Sequence, residues 1–349
     1  MVGVTYGIQP YGGSSMGWRS PFVVSTLAAG ALLIGLFVLV EQRVIDPVFR
    51  LELLRIRAFT AGNIATALAA MARGGLQLTL IIWLQGIWLP EHGVAFDSTP
   101  FWAAICLLPL IFGFFVAGPL SGYLSDRYGV RLFTTGGMLL AIGSFTLLMA
   151  LPIDFSYPSF AFVLFLDGVG MGLFSSPNRA GVMNSLPRAH RGVGGGMNLT
   201  FLNAASVLSI GVFFSLMIVG LSEGLPDALR TGLIARGVPV SVAAHVSQLP
   251  PVSTLFAAFL GDNPVRQLLG PHVLHRLPAP QRHELTGHTF FPHLVAGPFH
   301  HALGLAFGFA VVCCAVSAVA SICRGPLYQT SDDDGTATRE PLADPTPAG

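Results

Sequence analysis

The sequence predicts an all-α polytopic membrane protein of about seven transmembrane helices. Three observations carry this expectation. Apolar residues make up 52% of the 349 positions and charged residues only 10%, whereas soluble domains carry about 25% charge. The mean hydropathy is +0.68. Seven apolar runs have about the 20-residue length that a helix needs to cross ~30 Å of hydrocarbon. They are uniformly apolar rather than alternating in polarity, and a helix satisfies its own backbone in lipid, so helices and not barrel strands are expected.

The runs occupy residues 21–40, 59–89, 101–123, 132–151, 160–176, 196–221 and 302–322. The first starts some twenty residues in, has no small-residue cleavage site beside it and runs into Glu41-Gln42-Arg43, so it reads as a span and not a cleaved leader. The second is long enough to tilt or fray. Residues 223–300 mix prolines with short amphipathic pieces and read as a small subdomain between the sixth and seventh spans. Eight of the ten histidines fall between residues 223 and 301. Their spacing, including His272-x-x-His275, His283, His288, His293 and His300-His301, matches no recurring zinc pattern. Plain surface histidines, metal binding and pH sensing remain as readings, the first favoured. Residues 324–349 hold Ser331-Asp332-Asp333-Asp334 and several prolines, and read as a disordered tail.

All eighteen basic residues are arginine. Without lysine the chain has no P-loop lysine and no Schiff-base lysine, and energy for any transport would come from an ion gradient or a separate ATPase. Cys106, Cys313, Cys314 and Cys323 form neither a disulfide framework nor a ligand set. No nucleophile–base pair or carboxylate dyad appears, so the chain reads as no enzyme, with no cofactor, and its net charge of +1 gives no reason to expect nucleic acid. Arginines gather in alternate loops, at Arg43, Arg50, Arg55 and Arg57, at Arg127 and Arg131, and at Arg179, Arg188 and Arg191. By the positive-inside rule those loops are cytoplasmic. The N-terminus is then outside the plasma membrane, segment 223–300 outside, and the C-terminal tail inside.

Ionisable residues within spans are expensive in lipid and mark functional candidates. Arg73 lies near the middle of the second span and Asp167 near the middle of the fifth. At equal depth they are candidates for proton coupling or substrate contact, for a structural ion pair, or for two separate environments. Asn63, Gln77 and Gln85 share the second span without repeating on one face, so one or two of them are expected to line a cavity. Gly168-x-Gly170-x-Gly172 and Gly118-x-x-x-Gly122 read as close helix packing. The run Gly192-Val193-Gly194-Gly195-Gly196 reads as a hinge, or as an anion-binding helix start.

The stretch Gly122-Tyr123-Leu124-Ser125-Asp126-Arg127-Tyr128-Gly129-Val130-Arg131 is a compact charged turn between two apolar runs. Gly129 suits a backbone turn, and Asp126 suits helix capping or an arginine partner. Together Asp126, Arg127 and Arg131 are expected to form an interhelical charge network that makes and breaks with conformation.

That turn resembles the cytoplasmic signature loop of the major facilitator superfamily, G-x-L-x-D-R-x-G-x-R, at Gly122, Leu124, Asp126, Arg127, Gly129 and Arg131. Residues 168–177, 184–187, 191–193 and 255–264 are similar to the fourteen-helix drug:proton antiporter branch. In that family the turn is thought to stabilise the outward-open state. Six spans over about 59–323, preceded by one linker helix, resemble the second half of such a carrier; the sixth span lacks the antiport motif of a first half. The resemblance implies secondary active, proton-driven export of a small lipophilic solute or drug, with Arg73, Asp167, Asn63 and Gln77 as coupling or cavity residues and residues 122–131 as the gate. It further implies that the first half is missing from this chain, and that the partners are the lipid bilayer, the solute and a first transporter half on a separate polypeptide. The alternative is a truncated fragment that transports nothing alone.

Overall fold

The structure, a computed structural model, describes residues 10–11, 14–15, 20–44, 47, 49–248, 269–270, 273–287 and 290–324. A two-residue antiparallel pairing of Pro10–Tyr11 with Ser14–Ser15 precedes the helices. The helices are α1 Pro21–Glu41, α2 Arg57–Trp83, α3 Thr99–Cys106, α4 Leu108–Tyr128, α5 Val130–Ala150, α6 Tyr157–Asn184, α7 Arg191–Ile234, α8 Val240–Val246, α9 Ala279–Thr286 and α10 Phe290–Ile322. Seven helical segments among the described residues are long and apolar enough to cross a membrane. This is the all-helical, multi-pass architecture that composition predicted.

Six of the spans form one bundle. Helix α6 lies between α4 and α5, while α10 packs on α2, α5 and α7, and α2 packs on α7 and α6. Helix α1 stands apart with Leu32, Leu33 and Ile34 exposed. An edge-to-edge aromatic chain ties it on, from Phe37 to Phe49 at 6.0 Å and from Phe49 to Phe201 of α7 at 5.6 Å.

Glycines decide where α6 sits. Lipid tails are as apolar as leucine, so burial alone does not drive helices together in a bilayer; close backbone approach does. At about 100° per residue, positions two apart lie on nearly opposite helix faces and positions four apart on the same one. Gly168 and Gly172 therefore face α4, and Gly170 faces α5. A Cβ at Gly168 would strike the Leu110 carbonyl, and one at Gly172 would lie 2.9 Å from the Ala117 Cβ. On the other side a Cβ at Gly170 would lie 2.8 Å from the Gly137 carbonyl oxygen, and one at Gly137 2.5 Å from that of Gly170. The close-packing reading of residues 168–172 holds. Gly122 likewise meets Ser176, but Gly118 faces open space.

Other expectations change. The run 192–196 continues uninterrupted inside α7 rather than forming a break in the chain, and Gly194 makes room for Leu186. The second span is extended by a π-helical turn, Leu84–Trp88, and by Leu89–Glu91. There the Trp88 indole donates to the Phe155 carbonyl at 3.2 Å and stacks on the Phe155 ring. Trp83 packs edge-on to Phe155 and Phe160, closing the bundle core at that end. Segment 223–300 is in part the continuation of spans, since α7 runs through Pro226 to Ile234 and α10 already begins at Phe290. The stretch 255–264 and the tail 325–349 lie outside the described residues, as do His272 and His288. Three described histidines pair with carboxylates: His92 with Asp154 at 3.5 Å, His293 with Glu91 at 3.8 Å and His301 with Glu223 at 3.0 Å. Among the described residues no group of three His, Cys, Asp or Glu is placed to hold a metal. Cys106, Cys313, Cys314 and Cys323 are free thiols.

The packing makes a testable statement. Gly168→Val should cost about 1–3 kcal/mol of stability by overpacking, read as a lower melting temperature in detergent. Gly143→Ala, where nothing lies within 4 Å, should leave it unchanged. Equal melting of the two variants would refute glycine-limited seating of α6.

Candidate transport site

Four helices, α2, α4, α6 and α7, enclose a cavity of about 430 Å³, within the ~300–1,000 Å³ that holds drug-sized ligands. Helix α2 presents one helical stripe to it, Thr66, Ala69, Ala70, Arg73, Gly74 and Gln77. Their spacing of three and four residues is that of a single face. Phe114 on α4, Met171, Phe174, Asn178 and Arg179 on α6, and Asn198, Leu202 and Ile210 on α7 complete most of the wall.

Arg73 and Gln77, two of the predicted residues, line this cavity and are exposed within it. The Arg73 guanidinium lies 4.4 Å from the centroid of the Phe114 ring, a cation–π contact. Asp167 does not join it. That carboxylate is 1% exposed, lies off the cavity wall, and leaves its Oδ1 without a hydrogen-bond partner. It sits within electrostatic reach of Arg73 and of Cys314 on α10, but no ion pair forms within 4.0 Å. The direct ion pair is therefore not made: equal depth placed the two residues, but they point in different directions, one to the cavity and one into the bundle.

Asn63 is also off the wall. It is buried one layer behind, where its Oδ1 accepts from Asn198 Nδ2 at 2.9 Å and its own amide donates to the Phe59 carbonyl at 2.9 Å. This opens a network that sequence reasoning missed. Thr66 Oγ1 donates to the Gly62 carbonyl and accepts from Asn178 Nδ2 at 2.8 Å and Asn198 Nδ2 at 3.2 Å. Asn178 Oδ1 in turn accepts from a guanidinium nitrogen of Arg324. Arg324 is only 2% exposed. It fits between α2 and α6 because Gly62 and Gly181 carry no side chain; a Cβ at Gly62 would lie 2.7 Å from one terminal nitrogen and one at Gly181 2.5 Å from the other. Burial, with the charge of Arg131 nearby, pulls the Arg324 guanidinium down to about 10. It thus remains a cation at neutral pH. The signal for this layer was in the sequence. Asn63 lies six residues into α2, Asn198 seven into α7 and Asn178 six before the end of α6, which places all three about 9–10 Å from the same end of the bundle.

The signature segment is less of a turn than its sequence suggested. Residues 122–128 are the last two turns of α4, and Gly129 alone leaves the helix, at φ +89°, where a side chain would be strained. Asp126, Arg127 and Arg131 are exposed, and Asp126 neither caps α5 nor pairs with a described arginine. Among the described residues the three charges face outward and make no ion pair with one another. Ser125 is the residue turned inward, donating to the Gly122 carbonyl at 2.8 Å.

Comparison with known proteins places the fold. The family model of the Major Facilitator Superfamily matches residues 2–210. The chain belongs to the major facilitator superfamily. Members of this family are membrane transporters, not enzymes. An uncharacterized MFS-type transporter of Bacillus subtilis is 28% identical over 182 residues, 52% of this chain and 32% of the relative. The methyl viologen resistance protein of Salmonella typhimurium is 33% identical over 130 residues, 37% of this chain and 25% of the relative. The puromycin resistance protein of Streptomyces alboniger is 27% identical over 257 residues, 69% of this chain and 48% of the relative. The chain spans between a quarter and about half of the length of these relatives.

The buried network sets an expectation for stability. Interhelical hydrogen bonds in bilayers average only ~0.6 kcal/mol, but orphaning a buried charged donor costs more, about 1–3 kcal/mol. Asn178→Leu should therefore destabilise by that amount in detergent melts, while Arg179→Ala, at an exposed neighbour, stays within about 0.5 kcal/mol. Similar melting for both would show that Arg324 does not depend on Asn178.

Proposed function

We propose that this chain supplies one wall of a proton-coupled exporter for a small amphipathic solute. The observation that supports it best is the cavity between α2, α4, α6 and α7, with Arg73 exposed inside it and an unpaired carboxylate, Asp167, buried behind it. Transport in this superfamily uses a cleft near the membrane midplane between two halves. The six-helix bundle corresponds to the second half and α1 to a linker helix of the fourteen-helix branch. The facing wall then comes from a first half, on the same polypeptide or on a separate one. Relatives named for resistance to methyl viologen and puromycin favour export across the plasma membrane. The arginine-bearing loops favour a cytoplasmic position for the Gly129 end and the C-terminus, with the N-terminus outside.

Asp167 is the proposed proton carrier. Its carboxylate lies away from water with Oδ1 unpartnered, and its charge is felt at Arg73 across the α2–α6 contact. Protonation is thereby linked to the potential in the cavity without Asp167 touching the solute. The outward-facing charges of Asp126, Arg127 and Arg131 are the proposed gate, engaging the facing half in one conformation and releasing it in the other.

In everted vesicles holding both walls of the cleft, an imposed pH gradient, acid inside, should drive uptake of at least one member of a panel of dansyl amphiphiles of either charge and none. Asp167→Asn should abolish the gradient-driven component but keep probe exchange at equilibrium. Undiminished gradient-driven uptake in Asp167→Asn sinks the coupling role, and no uptake of any probe by the unmodified protein sinks export. For the gate, Asp126→Ala should change the labelling ratio of cysteines introduced at the two ends of the cavity. An unchanged ratio removes Asp126 from gating.

A further inference from the structure

The cavity wall has a sign. It contains two arginines, Arg73 and Arg179, and no carboxylate. The acid at the same depth, Asp167, is walled off from it. Among the described residues Arg73 makes no hydrogen bond and no ion pair; its contact is the face of Phe114. All five of its N–H donors are therefore available to a ligand in the cavity. Arg324, a buried cation, gives one hydrogen bond to Asn178 and leaves its Nε and one terminal nitrogen without a partner; Arg73 differs in facing a cavity. Arg73 is left open toward the empty space. A second group points the same way. Asn198 spends its amide N–H on Asn63 and Thr66, while its Oδ1 accepts from no described residue, and it lies on the cavity wall. Thr66 and Asn178 are already saturated by the network.

We infer that this wall binds an amphipathic organic anion: a carboxylate, sulfonate or phosphate group at Arg73, an apolar or aromatic body against Phe114 and the neighbouring apolar lining, and a hydrogen-bond donor directed to Asn198 Oδ1. Thr66, on the Asn198 level, and Arg73 are seven residues apart on α2, so the two ends of the ligand are separated by about 10.5 Å along the helix. A cation on this wall would meet two like charges and no counter-charge, which disfavours it. An anion also suits export energetically, because an interior-negative membrane potential pushes negative charge outward. For one-for-one exchange with a proton, expelling an anion moves two positive charges inward, a neutral solute one, and a monovalent cation none. The inference rests on the cavity being the solute site proposed above.

The full chain in zwitterionic phosphatidylcholine nanodiscs is titrated with three probes that share one ring system: dansylglycine, its neutral amide and dansylethylenediamine. Dansylglycine should bind at least ten-fold tighter than the cationic probe, and Arg73→Gln should reduce that ratio to near unity while the neutral amide binds as before. Arg73→Met, unbranched and apolar, replaces Arg73→Gln if the latter is not monodisperse. Replacing a fifth of the lipid by phosphatidylglycerol separates two sources of the anion. Competition with dansylglycine identifies a lipid phosphate as the occupant and no competition a free solute, and both uphold an anion at Arg73. Tighter binding of the cation, an anion preference that survives both Arg73 variants, or no binding of any probe up to millimolar concentration overturns the inference. The outcome is separable from that for export. A cation preference with intact gradient-driven uptake removes only the anion, and an anion preference without uptake removes only the exporter.

Discussion

The seating of α6 is the constraint on which the rest depends. In hydrocarbon a leucine gains little by leaving lipid for a neighbouring helix, so the bundle cannot rely on apolar burial to choose its register. Contact at backbone distance chooses it instead. Gly168 and Gly172 toward α4, and Gly170 with Gly137 toward α5, fix both the height and the rotation of α6. That rotation sends Asn178 and Arg179 to the cavity and keeps Asp167 inside the bundle. The glycine positions and the sign of the cavity wall are thus two consequences of one packing event.

The polar layer near the Gly129 end plays a complementary part. Thr66, Asn178 and Asn198 hold α2, α6 and α7 together on the cavity side, and Arg324 brings in the end of α10 from behind. The far end is closed mainly by aromatic packing of Trp83, Phe155 and Phe160, with the Trp88 indole bonded to the Phe155 carbonyl. The half-bundle is therefore polar-stapled at one end and ring-packed at the other, with the cavity between them.

Much of the fold was legible in the sequence, and the reason is physical. Spans announce themselves through apolar length, and Gly129 through a backbone conformation that few other residues tolerate. Proximity was partly legible too: residues taken from the midpoints of two spans, Arg73 and Asp167, lie within electrostatic reach of each other. Azimuth was not. A span's sequence states how far along the membrane normal a residue lies, but which way it faces follows from its neighbours. Hence Arg73 and Gln77 reached the cavity, whereas Asp167 and Asn63 did not. Arg324 was read as the first residue of a tail, since nothing local reveals that Gly62 and Gly181, more than a hundred residues apart, leave a slot for it. The charges of Asp126, Arg127 and Arg131 were legible as a motif, but their partners do not lie on this chain's described surface.

Helix α7 has a mechanical consequence. Its 44 residues make a rod of about 66 Å, roughly twice the ~30 Å hydrocarbon thickness. Near one end it carries Asn198 on the cavity wall, and near the other Leu225, Leu229 and Leu233, all fully buried. One continuous helix thus joins a residue of the cavity wall to a packed apolar cluster well beyond the membrane thickness, so the far end is anchored in the fold rather than free.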